Sequence, residues 1–270
     1  MIKSLPNLYS FLKLPEREIS IIITAIHNYY SLKSRPKKKY GDFQRDIDGN
    51  IKHRKLMIPD YILKSRQKSI ARLLSKIHLP DYMFGSVHGK NNIKNAQQHL
   101  NHKHFLTIDL KDFFSNINHH QVNAMFCNNG FSPSVSRILT RLTTYQASLP
   151  QGAPSSPVIA NLVFLEASYK LCDLAKNNDI TFTTFLDDLT FSSNHCFKNL
   201  IFPIIDIIIQ YNFYPAYDKI HYRQDYCEIT GLFVKGNVLE LPYIMKKKAK
   251  SNFNIRSYVR LVQKYTSAAV

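Results

Sequence analysis

Along HFLTIDL (residues 104–110), Leu106, Ile108 and Leu110 alternate with Phe105, Thr107 and Asp109. This two-residue period predicts a strand that ends in an acid. FLDDLTFSS (185–193) sets Asp187 and Asp188 among Phe182, Phe185, Leu186, Leu189 and Phe191. Strand formers on both sides predict a β-hairpin with adjacent acids at its turn. Between these runs the period changes. EREISIIITAIHNYYSL (16–32) and LKSRQKSIARLLSKI (63–77) read as amphipathic helices, flanking a basic turn or hairpin region at 33–55. A helical stretch is predicted from about 119 to 147. After LPQGAPSSP, a buried stripe is predicted at Val158, Leu162, Leu165, Tyr169 and Cys172. A helix near 198–211, a strand at EITGLFV (228–234) and a basic helical tail complete the pattern. The order of elements predicts an α+β chain, with helices packed on one face of an antiparallel sheet.

Composition narrows the partner. The 270 residues, 44% of them hydrophobic, suffice for one large domain or two to three interlocked subdomains. A net charge of +17 makes a polyanion the expected partner, nucleic acid ahead of an anionic membrane surface. No apolar run approaches the ~20 residues of a spanning helix, and IFPIIDIIIQ is interrupted by Pro203 and Asp206. The N-terminal stretch lacks the long apolar core of a leader. The four cysteines form no CxxC pair, which argues for reduced thiols and a cytoplasmic protein.

The acids supply the chemistry. Antiparallel pairing would bring Asp109 to the same sheet edge as Asp187 and Asp188. Three carboxylates on neighbouring strands form an oxygen-rich site suited to Mg²⁺ with substrate phosphates. Two such ions can activate a 3′-hydroxyl and stabilise a leaving pyrophosphate. The alternative is a strand-terminal acid and a solvated turn.

FLTIDLKDFF, LPQGAPSSPVIANL, FLDDLTFSS and the lysine of YNFYPAYDKIHYR stand in the order found in reverse transcriptases, and RKLMIPDYILKSRQ resembles their fingers pattern. KNAQQH is similar to the NAxxH element of retron reverse transcriptases, and EITGL to their VTG element. The resemblance spans about residues 50–235. It implies a right-hand polymerase: fingers over 1–104, palm over 105–235 with 115–150 contributing to fingers and palm helices, and a short helical thumb over 236–270. It implies that Asp109, Asp187 and Asp188 bind two Mg²⁺ ions, with Mn²⁺ as an alternative, and that Lys219 serves the leaving pyrophosphate. It places Arg54, Lys64, Leu110, Phe114 and Gln151 at the nucleotide, Phe114 as the ring that excludes a ribonucleotide 2′-hydroxyl. Asn95, His99, Thr230, Gly231, Lys246, Lys247 and Lys248 are placed as RNA contacts, with bracing of the palm as the alternative for Asn95 and His99.

The implied function is a retron RNA-directed DNA polymerase. It would use dNTPs to copy its own structured non-coding RNA from a 2′-hydroxyl of that RNA, giving branched RNA–DNA (msDNA). It would act in anti-phage defence with an effector or toxin on a separate polypeptide, away from membranes. The alternatives are another bacterial reverse transcriptase, of abortive-infection or intron type, and a non-catalytic RNA-binding scaffold restraining a toxin. The chain departs from the family pattern at Phe185-Leu186, where Tyr and Ala or Val are usual, at Ile229, and at FVKGN, which interrupts the strand after EITG.

Overall fold

The computed structural model describes residues 1–267. Contacts group them into two units, each drawn from two stretches: Met1–His78 with Asp112–Phe164, and Leu79–Lys111 with the residues from Leu165 onward.

The chain begins with α1 (Leu5–Leu12), α2 (Glu16–Thr24), β1 (Tyr30–Pro36), β2 (Lys38–Lys39), β3 (Asp42–Phe43), β4 (His53–Pro59) and α3 (Tyr61–Leu74). The helix expected over 16–32 is cut short. It ends at Thr24, a 3-10 turn follows, and Tyr30 opens a strand paired with β4 from Tyr30↔Pro59 to Pro36↔His53. That ladder claims the backbone groups a continuing helix would need. The Tyr30 hydroxyl accepts a hydrogen bond from Gln67 at 2.7 Å, and its ring packs 4.7 Å from Tyr145. In α3, Asp60 caps the first turn by accepting from the Leu63 amide, and Leu63, Gln67, Ile70 and Leu74 form the buried stripe.

Next come α4 (Asn92–Gln97) and β5 (His104–Asp109) of the second unit. The first unit then resumes with α5 (Phe113–Asn116), α6 (His119–Asn128), α7 (Pro133–Thr143) and α8 (Ser156–Val163). The stretch expected to be helical over 119–147 is therefore two helices. Gly130, at φ 81°, ends the first, and Ser132 caps the second ahead of Pro133. The stripe expected from Val158 to Cys172 also breaks. A bend at Phe164 separates α8 from α9 (Leu165–Lys176), the period restarts, and Tyr169 turns outward at 47% exposure while Cys172 stays buried.

The second unit continues with β6 (Thr181–Phe185), β7 (Asp188–Ser193), α10 (Ile201–Gln210), β8 (His221–Gln224), β9 (Tyr226–Ile229), β10 (Leu232–Lys235), β11 (Val238–Glu240), α11 (Tyr243–Ala249) and α12 (Phe253–Ser267). The strands fall into four antiparallel sheets rather than one. The largest has the order β6-β7-β5-β8, and another runs β11-β10-β9. EITGLFV, expected as one strand, is a hairpin. Thr230 and Gly231 both take positive φ, 46° and 87°, as a type I′ turn requires. FVKGN does not interrupt this sheet: Lys235 pairs with Val238 across a two-residue turn, adding a third strand. The core on this sheet joins Ile93 and Ala96 of α4 to Cys227, Ile229, Leu232, Val234 and Leu239, with Val262 of α12. Among the described residues no helix is long and apolar enough to cross a membrane.

Candidate active site

The four-stranded sheet brings the acids together. β5 and β7 pair antiparallel with Asp109 directly opposite Asp188, so both carboxylates leave the same face. β6 and β7 form a hairpin in which Phe185 pairs with Asp188, leaving Leu186 and Asp187 as its loop. Leu186 takes φ 58°, a conformation a leucine rarely adopts. The Leu110 amide donates to the Asp187 carbonyl at 2.8 Å, which ties this turn to the end of β5. Like charges opposite one another repel, which disfavours the ionised form. Burial, and then the charges of Asp187 and Asp109, push the Asp188 carboxyl up to about 7, against the pull of Lys219.

Lys219 arrives by backbone pairing. The Lys111 amide donates to the Tyr214 carbonyl, and the Ala216 amide to the Asp109 carbonyl, both at 2.8 Å. These bonds lay the 214–216 segment along the end of β5, and Lys219 Nζ reaches Asp109 Oδ1 at 2.9 Å. Burial draws the lysine's pKa down, but the hydrogen bond and charge of Asp109, with Asp218 and Asp187, outweigh it, so the net shift is upward. The side chain is therefore held as the ammonium.

A third element supports the turn. Residues 82–85 run beside β6: the Thr184 amide donates to the Tyr82 carbonyl and the Phe84 amide to the Thr184 carbonyl, each at 2.8 Å. This delivers Gly85 against the hairpin loop. A methyl group on Gly85 would lie 2.5 Å from the Leu186 nitrogen and 2.7 Å from the Phe185 carbonyl carbon. The constraint on Gly85 comes from backbone about a hundred positions further along the chain, so no local pattern signals it.

The remaining residues separate by burial. Leu110 is 2% exposed, so its side chain joins the core and does not face a nucleotide. In the first unit Phe113 is the core member of the Phe113-Phe114 pair, edge-on to Phe164 at 6.0 Å, while Phe114 is only half-buried. Gln151 is exposed, and its carbonyl accepts from the Met57 amide at 2.8 Å. Gly152, at φ 117°, packs with no room to spare on Met57 and Ile58. Arg54 on β4 and Lys64 on α3 are solvent-exposed.

Asn95 and His99 are buried, at 1% and 0% exposure, so the expectation of direct RNA contact is corrected. His99 Nδ1 bonds Ser192 Oγ at 2.6 Å and Nε2 bonds Thr183 Oγ1 at 2.7 Å, which spans β7 and β6. His102 also reaches Ser192, at 2.7 Å. Burial, with the charge of His102 second, lowers the His99 pKa to about 3. Asn92 Nδ2 donates to the Thr230 carbonyl at 3.1 Å, and Asn95 Nδ2 to Thr230 Oγ1 at 3.4 Å. The helix bearing NAQQH and the turn bearing ITG thus hold each other. Lys246 and Lys247 are exposed, with Lys246 paired to Glu240 at 3.1 Å, and Lys248 is half-buried.

With Asp109 Oδ1 engaged by Lys219, no group of three or more His, Cys, Asp or Glu among the described residues converges as a ready cation cage. The donor chemistry nonetheless fits a hard divalent cation. It is all carboxylate oxygen, and burial together with the neighbouring acids raises the Asp188 pKa, a penalty on its charge that a cation would relieve.

The profile of the family described as reverse transcriptase (RNA-dependent DNA polymerase) matches residues 36–210. The chain is 30% identical over 242 residues to the Retron Se72 reverse transcriptase of Salmonella heidelberg (strain 579083-10), covering 81% of this chain and 64% of that protein. It is 33% identical over 136 residues to the Retron Ec86 reverse transcriptase of Escherichia coli, covering 50% and 42%. The chain thus spans less than two thirds of the length of these relatives. Among solved structures, apo telomerase from Candida tropicalis superposes with a TM-score of 0.52 at 11% identity, covering 76% of this chain and 46% of that one. Telomerase from Candida albicans in complex with a fragment of telomeric RNA gives 0.52 at 10%, covering 83% and 50%. This likeness shows the right-hand polymerase fold.

Proposed function

Because this chain belongs to the reverse transcriptase (RNA-dependent DNA polymerase) family, and within it to the retron-type bacterial enzymes, we propose that it polymerises DNA on an RNA template. The observation that carries the reading is the cross-strand pair Asp109–Asp188 with Asp187 at the adjoining turn. The three carboxylates would hold two Mg²⁺ ions, for which Mn²⁺ can substitute. When bound, such ions polarise phosphoryl oxygens and lower the pKa of an attacking hydroxyl. Lys219, kept protonated by its acidic neighbours, donates a proton to the departing pyrophosphate. Phe114 selects deoxyribonucleotides by occupying the space a 2′-hydroxyl would need. Arg54, Lys64 and Gln151 hold the dNTP.

The template is a structured non-coding RNA, primed from one of its own 2′-hydroxyls to give branched msDNA. The reaction serves anti-phage defence beside a separate effector protein. The fingers comprise residues 1–104, the palm 105–235 and the thumb 236–270. Lys246, Lys247 and Lys248 grip phosphates along the hybrid, where backbone contact outweighs base reading.

The test is dNTP incorporation on an RNA template with Mg²⁺, for the wild type and for Asp187→Asn with Asp188→Asn. Loss of synthesis in the double variant with RNA affinity retained is the expected result. A wild type that binds RNA and incorporates nothing would favour the scaffold reading, and synthesis by the double variant would refute the metal assignment.

A further inference from the structure

The first unit carries a cleft that the polymerase reading leaves unassigned. It measures ≈ 550 Å³, within the usual range for ligand sites, and opens between α6 and α7. Arg137 and Arg141 line it from α7, His119 and His120 from α6, and Gln146 from the following loop. Neither helix contains a single Asp or Glu, so nothing on its walls offsets the two guanidinium groups.

The walls are built rather than loose. Asn123 donates to Thr140 Oγ1 at 3.5 Å, joining α6 to α7 across the floor. Arg141 Nη2 donates to the Ile23 carbonyl at 3.3 Å, which commits one of its five donors and orients the fork. Arg137 stands one turn away, the i, i+4 spacing that sets two side chains side by side on one face. The imidazoles of His119 and His120 lie 4.0 Å apart, and His119 Nδ1 contacts the Ala147 carbonyl at 3.4 Å. The cleft therefore presents two phosphate-matching forks beside a pair of flat rings.

We infer that this cleft takes a nucleotide of single-stranded RNA, its phosphates on Arg137 and Arg141 and a base against the His119–His120 rings. Planar forks match phosphate oxygens in pairs, and splayed bases stack on flat side chains. A duplex keeps its bases inside the stack and cannot offer one to the rings. The inference adds a contact region to the proposed polymerase, and its test does not read DNA synthesis, so the two readings fail separately.

The experiment measures anisotropy of a short fluorescein-labelled single-stranded RNA against a salt series, with the duplex of the same sequence in parallel. Arg137→Gln with Arg141→Gln should flatten the log–log salt slope by about 1.4, at ~0.7 per phosphate. His119→Ala with His120→Ala should weaken the single strand roughly tenfold through lost stacking and leave the duplex unmoved. Slopes that do not change, or equal losses for single strand and duplex, overturn the proposal. A measurement on the wild-type chain guards against misfolded variants: diethyl pyrocarbonate labelling of His119 and His120, read by mass spectrometry. Single-stranded RNA should protect both rings. Protection by inorganic phosphate at matched phosphate concentration would show a simple anion site and overturn the assignment to RNA, as would no protection at all.

Discussion

Gly85 lies against the Phe185–Leu186 peptide so closely that no Cβ fits: its methyl would stand 2.5 Å from the Leu186 nitrogen. The obstructing atoms are backbone, so they cannot rotate away, and the loop they belong to carries Asp187. Gly85 itself needs no positive φ, so alanine would be tolerated but for this approach. Gly85→Ala should therefore displace the turn that carries Asp187. Displacements near 1 Å at a reacting centre cost on the order of 100-fold in rate. Steady-state primer extension should show the loss in kcat, while RNA affinity stays near wild type. Undiminished extension would mean that the turn yields to the methyl group.

Two buried groups give opposing pH dependences in metal-free protein. His99 is neutral in the fold, with its pKa near 3 against ~6.5 unfolded, so its contribution is full above pH 6.5 and is lost as pH falls towards 3. Asp188 is raised to about 7 from ~3.8, so its contribution is full below pH 3.8 and is lost as pH rises through 7. Between about pH 4 and 6.5 the two slopes, each at most ~1.4 kcal/mol per pH unit, oppose one another. Urea unfolding in chelator should show this: Asp188→Asn should lose stability on acidification through that window, and His99→Gln should gain it. Parallel curves for both variants would contradict the assignment.

Phe114 is half-buried beside the core ring Phe113. Phe114→Val should raise ribonucleotide incorporation relative to deoxyribonucleotide, with a modest fall in total dNTP use. Competition between rNTP and dNTP on one template reads the ratio, and an unchanged ratio would make Phe114 a packing residue.

Lys247 is exposed on α11, and Lys246 beside it holds Glu240. Replacing both with Gln should flatten the salt dependence of RNA binding by about 1.4 to 1.8, as expected for two released phosphate contacts. For an enzyme dedicated to one RNA, preference for that RNA over an unrelated hairpin should widen as salt rises. Loss of both affinities in parallel would remove the case for a dedicated partner.

Local pattern made the acidic sites legible. HFLTIDL alternates along its length and is a strand, and FLDDLTFSS is a hairpin because its flanks are strand formers. Asp109 and Asp188 fall opposite one another because both strands end there. The errors arose where long-range pairing overrode local period. Residues 30–32 continue the helical spacing but belong to a ladder with residues more than twenty positions downstream. The resemblance of NAQQH to the family element places it at RNA, yet Asn95 and His99 turn inward. Their side-chain partners, Thr183, Ser192 and Thr230, lie far along the chain, and only the fold reveals them.

The interleaved chain path bears on synthesis at the ribosome. Strand β5 emerges early, but its neighbours β7 and β8 appear only after residues 112–164, which build the other unit. Phe105 can already pack on Ile93, Ala96 and Leu100, but until then both edges of the strand have no native partner, a condition that invites mispairing. Such sequence-distant closure slows folding, because the entropic cost of the loop comes before any contact repays it. The nascent chain would thus hold Asp109 on a strand without its sheet neighbours, and bring Asp188 and Lys219 to it only as the last third of the chain emerges.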